Sequence, residues 1–378
     1  MKSKYIVLST GFALFSMFFG SGNLVFPLVV GQESQGHYLL AALGILLTGV
    51  FVPFLGAIGM MLYEGSIKDY FNCFGKKGTF FFSLLSLALM GPFGVLARCL
   101  TVAHGALQML FPHASLAVVS LGMCATIYLL TVNKNKIVGT LGIVLTPFLL
   151  LSISAIAFFG FKQGALSEAP LQASGFEALK NGFFQGYQTM DLLAAFFFST
   201  FVINHLKSAT TDKSVALKVF LKSALIGGGI LSAVYFALVV LGWNYAPLLA
   251  NTHPKEMLGK IAMAALGPLA APCVCLAVVL ACLTTAIVLT SLFADFLRKE
   301  VTQNKMNHNL SLLITLGIGF TVSTLDFAGI ARFIGPILET AYPALIMLTI
   351  VNVAHKLWGF KHSHWPVTLT FAAKIFAI

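Results

Sequence analysis

Three short polar stretches hold most of the chemistry open to this chain outside its charged loops. The first is FFGSGNLVFP, Phe18 to Pro27, inside a run with no charged residue from Tyr5 to Gln32. Gly20 and Gly22 tolerate positive φ and let another group approach the backbone. A helix restarting near Asn23 offers free N–H groups and partial positive charge to an anion such as a carboxylate. The carbonyls ending the preceding half, near Ser16 to Phe19, offer oxygen to a cation. The second stretch, GYQTMDLLAAFFFS from Gly186 to Ser199, places Tyr187, Gln188, Thr189 and Asp191 within five residues. The third, ACLTTAIVLTS from Ala281 to Ser291, sets the Thr284 and Thr285 hydroxyls one turn after the Ala281 carbonyl. Sodium is a hard ion that takes several oxygens, and this turn has three. Each stretch also has a plainer reading: a small-residue packing seam for GSG, a position near an interface for Asp191, and hydroxyls bonded back along the helix for the threonine pair.

The elements that must position these groups follow from composition. The chain has 378 residues, of which 58% are hydrophobic and 9% charged, and a mean hydropathy of +0.93. Soluble domains carry about 25% charged residues. The apolar runs are helix-length and lack the period-two alternation of a barrel, so the fold class is an all-α polytopic membrane protein. Spans are expected near 5–31, 38–63, 79–111, 115–132, 137–161, 181–205, 217–242, 270–297, 309–325 and 329–354. A shorter run over 365–378 brings the total to about eleven segments, and a short helix is expected outside the spans near Glu256 to Ala265. The first run is too long for a cleavable leader.

In hydrocarbon an unpaired backbone group costs several kcal/mol, so a break at mid-depth must face protein, water or a ligand. A carboxylate there is expensive and usually functional. The first and sixth spans carry the two breaks and lie five spans apart. An odd number of spans per unit inverts the second unit. The expected architecture is therefore a five-plus-five inverted repeat, residues 1–161 and 177–354, with the site where the broken helices meet. Residues 355–378 form a short C-terminal extension to this single transporter-like domain.

The net charge of +11 reflects topology rather than nucleic-acid binding. Sixteen of the 23 lysines and arginines fall in loops on the N-terminal side, against four on the other, Lys162, Lys180, Lys255 and Lys260. By the positive-inside rule the N-terminus is cytoplasmic. Arg98, an intramembrane charge, is open to pairing with a carboxylate, gating a pathway or anchoring a helix end. Gly227, Gly228 and Gly229 suit close helix packing, and His362, Ser363 and His364 a solvated loop. The six cysteines show no CxxC and are expected as free thiols. No dinucleotide fingerprint, phosphate loop, HExxH or GxSxG is present, which disfavours an intramembrane enzyme.

GFALFSMFFGSGNLVFP, GYQTMDLLAA and LACLTTAI, with GPFGVLARCLTVAHGAL from Gly91, resemble the signature segments of the bacterial branched-chain amino acid carriers, the BrnQ or LIVCS family. The resemblance is spread over residues 10 to 350. It implies a LeuT-like fold and sodium-coupled import of leucine, isoleucine or valine across the inner membrane, with no enzyme activity and no obligate protein partner. Carried over by position, it puts Gly20, Ser21, Gly22 and Asn23 with Tyr187, Gln188, Thr189 and Asp191 at the substrate. Ser16, Phe19, Ala281, Thr284 and Thr285 would surround Na+. Ala97 stands where the family usually has proline, Val288 where it has glycine, and the chain is one span short of the usual twelve. Proton coupling through Asp191 is the alternative on the same fold.

Overall fold

The computed structural model describes residues 2–132, 137–163, 174–209, 212–268, 271–360 and 365–376. The 362–364 stretch and most of the loop between the fifth and sixth spans lie outside the described residues. Among those described, five helices are long and apolar enough to cross a bilayer, two bent pairs bring the total to seven, and three shorter apolar helices stand where the sequence places the other three expected spans.

The first span is α1 (Lys2–Phe18) followed by α2 (Ser21–Gln32), bent by 72°. Gly20 between them is extended, at φ −121 and ψ −166, so the α1 ladder cannot continue. The Asn23 side chain closes the gap: its Oδ1 accepts the Gly20 N–H at 3.0 Å, the reciprocal arm of a capping box. The second span is α3 (Tyr38–Leu62), with one wide turn over Leu47–Phe51.

The third span corrects an expectation. The apolar run over 79–111 reads as one helix, yet the chain forms α4 (Gly75–Met90) and α5 (Val95–Gln108) with a turn between them. Pro92 has no N–H to continue the ladder. A Cβ at Gly94 would collide with the Leu89 carbonyl, so the turn requires glycine there. Next come α6 (Leu116–Val132) and α7 (Ile137–Gln163).

The sixth span is α8 (Gly175–Gln188) and α9 (Asp191–Ala209), bent by 42°. Met190 between them adopts φ +60, a left-handed conformation that non-glycine residues take at a cost. The seventh is α10 (Lys213–Asn244), and α11 (Met257–Leu266) is the short helix expected outside the spans. The remainder are α12 (Ala271–Phe296), α13 (His308–Ser323), α14 (Asp326–Trp358) and α15 (Trp365–Phe376). The last has only 12 residues, short of the roughly 20 that a span needs.

Packing divides the spans into two groups. The halves of the first and sixth spans pack on α3 and α10, whereas α5 and α6 pack with α12 and α13, and α7 joins them through α12. Close approach in the first group uses Gly227, where a Cβ would lie 2.8 Å from the Gly11 carbonyl oxygen. Gly229 has nothing within 4 Å, so the packing role expected of all three glycines holds only in part. At the end of the molecule nearest the N-terminus, Glu64 pairs with Lys207 at 3.1 Å and with Lys213. Both lysines together hold its carboxyl below the ordinary value.

Candidate functional site

The breaks in the first and sixth spans meet inside the protein. A Cβ built on Gly22 would lie 3.5 Å from the Thr189 Cα, an ordinary contact distance, so the two breaks lie side by side. One residue on, Asn23 Nδ2 donates to Asp191 Oδ2 at 2.7 Å. Tyr235, from the middle of α10, donates to the same oxygen at 2.9 Å and also touches Asn23 Nδ2. Asn23, Asp191 and Tyr235 are 2%, 3% and 0% exposed. A carboxylate, an amide and a phenol thus form one buried network joining three spans. Asp191 opens α9, where the helix dipole favours a carboxylate.

Asn23 therefore serves both breaks, capping its own and tying the other. Thr189 is buried, and its hydroxyl returns to the Gly186 carbonyl at 2.8 Å. The Tyr187 ring packs tilted against Tyr342 of α14, with ring centroids 4.8 Å apart. Gln188 turns to the third span: its backbone and side-chain oxygens accept from Arg98 at 2.5 and 2.7 Å. On the other flank, the Cys99 thiol donates to Ser21 Oγ at 3.4 Å and lies beside Cys282. All six cysteines are free.

The first break also faces α12. A Cβ on Gly20 would sit 3.6 Å from Thr285 Cγ2 and 4.0 Å from its Oγ1. Thr284 Oγ1 donates to the Ala281 carbonyl at 3.0 Å, the back-bonded arrangement common for hydroxyls in apolar helices. The two threonines thus differ: one looks to the break and the other to its own helix. Ser16 and Phe19 lie at the end of the first half-span, Phe19 donating its N–H to the Phe15 carbonyl at 3.0 Å.

The first turn of α2, whose amides lack intrahelical acceptors, the buried Asp191 carboxylate and the Thr285 hydroxyl face of α12 are polar groups of the kinds that zwitterions and hard cations bind. Sequence reasoning missed three participants. Tyr235 follows the glycine triplet in an otherwise unremarkable apolar helix. The break at Gly91 to Gly94 was announced by GPFG, but apolar flanks on both sides masked it. Tyr342 gave no signal at all. Among the described residues no cluster of three or more His, Cys, Asp or Glu could hold a metal.

Comparison with known proteins follows this geometry. The sequence profile of the branched-chain amino acid transport protein family matches residues 3–378. A Staphylococcus aureus protein (strain bovine RF122 / ET3-1), named "Putative branched-chain amino acid carrier protein", is 29% identical over 402 residues, covering 100% of this chain and 88% of that one. A protein of the same name from strain MRSA252 is 28% identical over the same coverage. Among solved structures, the inward-facing conformation of Mhp1 is similar at a TM-score of 0.66 and 14% identity, covering 93% of this chain and 77% of that one. A manganese transporter from Eremococcus coleocola is similar at a TM-score of 0.57 and 12% identity, with coverage of 98% and 86%. At these identities the structural likeness speaks for the fold alone, the LeuT-type fold of transporters with broken spans.

Proposed function

Because the chain belongs to the branched-chain amino acid transport protein family, and is thus a transporter rather than an enzyme, we propose that it imports leucine, isoleucine or valine with sodium by alternating access. The observation that carries this reading is the direct meeting of the two broken spans, Gly22 against Thr189 and Asn23 bonded to Asp191. Backbone left loose in a bilayer calls for a ligand where protein and water do not satisfy it. The substrate carboxylate takes the Ser21 and Gly22 amides at the positive end of α2. The amino group lies toward Thr189 and Asp191, and Tyr187 borders the side chain. Sodium is held between the Ser16 and Phe19 carbonyls and the Ala281, Thr284 and Thr285 oxygens, joining the first span to the eighth. With both bound, the group containing the first and sixth spans moves against the group built on α12 and opens the site to the other side.

The N-terminus lies in the cytoplasm of a bacterial inner membrane, and the five-plus-five repeat spans residues 1–161 and 177–354. Uptake of radiolabelled leucine into vesicles carrying the purified protein tests the coupling. Loss of concentrative uptake when choline replaces sodium is the expected result; full uptake in choline contradicts it. One observation favours a second reading: the donors on Asp191 are neutral, Asn23 and Tyr235. Among the described residues no lysine or arginine pairs with it. A proton carried by that carboxyl would make uptake depend on a pH gradient and not on sodium.

A further inference from the structure

Arg98 is the one arginine buried in the centre of the protein, at 1% exposure. Among the described residues no carboxylate lies within ion-pair distance of it. Burying an unpaired cation is costly, so something must justify its place. Its guanidinium lies 5.0 Å from the Phe26 ring of α2 and 5.7 Å from the Phe327 ring of α14, contacts that favour a cation over an aromatic face. Both Nη atoms point at one residue, Gln188, the last of α8. Nε finds no partner.

The carbonyls ending a helix lack intrahelical donors and carry partial negative charge. At the break after Gln188, inside a membrane protein, that shortage cannot be met by bulk water. We propose that Arg98 is the positioning residue of the sixth-span break. From α5 one prong of its rigid fork gives the Gln188 carbonyl the donor that the broken helix lost and the other holds the Gln188 side chain, an arrangement that a lysine cannot reproduce. The contact also crosses between the two packing groups, since α5 packs with α12 and α8 with α3. The fork therefore makes the shape of the substrate-side break depend on how the two groups are docked, and it must slacken when they move apart. Gly94 reinforces the placement: a Cβ there would lie 3.0 Å from Met190 Cε, so the turn in the third span sits directly against the break in the sixth.

This inference rests on the carrier reading above, and one preparation separates the two. Leucine binding and uptake are measured on the purified protein in vesicles for the wild type and for Arg98→Gln, Arg98→Lys and Gln188→Glu. Hydrogen bonds to a charged group support a loss of roughly ten- to a hundredfold in leucine affinity for Arg98→Gln, partly recovered in Arg98→Lys. The preference for leucine over leucinamide stays at the wild-type ratio, because the guanidinium acts on the break and not on the carboxylate. Gln188→Glu turns the fork into an ion pair that resists parting, so turnover falls about tenfold. Wild-type turnover in Gln188→Glu, wild-type affinity in Arg98→Gln, or collapse of the leucinamide discrimination each overturns the proposal. Absence of uptake by the wild type defeats the carrier reading, and this inference with it.

Discussion

The two breaks solve one problem in different ways. In the first span the chain caps itself: Asn23 accepts the Gly20 N–H three residues back, and the bend is wide, 72°. In the sixth span the shallower bend of 42° is held from outside, by Arg98 on the Gln188 oxygens, and Met190 takes a strained φ of +60. A break capped locally can move as a unit. A break capped by a distant span is tied to that span's position. On the carrier reading proposed above, this difference ties the sixth break, more than the first, to how the two packing groups are docked.

The largest expected effect strikes the place where the breaks touch. At Gly22 a Cβ already meets the Phe26 ring at 3.3 Å and the Thr189 Cα at 3.5 Å, so the three further carbons of Gly22→Leu must displace one of them. Leucine binding and uptake should be abolished, with stability lowered by about 1–3 kcal/mol from overpacking; retained leucine binding would contradict the contact. Asn23→Ala comes next, because it removes the internal cap and one donor to Asp191 together. A loss of roughly 1–3 kcal/mol is expected from the unsatisfied groups, read as a lower melting temperature in detergent alongside strongly reduced uptake. If Asn23 served only its own break, the loss would stay near the ~1 kcal/mol of an ordinary cap.

The threonine pair sharpens the comparison on the ion side. Thr285 faces Gly20, and Thr284 is bonded to its own helix. Thr285→Ala should raise the sodium concentration for half-maximal uptake by roughly tenfold, equivalent to ~1.4 kcal/mol, and Thr284→Ala should raise it less. Equal effects would mean that the Thr284 hydroxyl serves the ion as fully as Thr285 despite its bond to the Ala281 carbonyl. The smallest effect belongs to Glu64, outside the site. Its carboxyl is held low by Lys213 and Lys207, so its stabilising contribution is complete above the ordinary carboxylate pKa and fades as pH falls through the lowered one. The groups are half-exposed, at 48% for Glu64 and 39% and 80% for the lysines. Glu64→Gln should therefore change stability by less than about 1 kcal/mol, and the difference from wild type in melting temperature should vanish in acid.

How much of this was legible in the sequence depended on where the partner of each group lies. GSGN contains both the break and its cap within four residues, so the first discontinuity could be read directly. Asp191 announced itself by its cost in an apolar run. The short helix between the seventh and eighth spans was announced by prolines and is observed at Met257–Leu266. Arg98 stood out as a charge, but its purpose depends on Gln188, separated by 90 positions, and no local pattern encodes that. Tyr235 is 44 residues from Asp191 and looks like any aromatic in an apolar helix. The third-span turn had its signal in Gly91, Pro92 and Gly94, yet hydrophobic runs on both sides make two helices joined by a turn look like one long helix.

A density map of the protein with leucine and sodium bound, at a resolution that defines the amino acid, tests the central claim most directly. The account predicts leucine between the two breaks, its carboxylate on the Ser21 and Gly22 amides and its amino end toward Thr189 and Asp191. Leucine bound elsewhere, with the Gly22–Thr189 contact unchanged and nothing lodged beside it, would contradict the account.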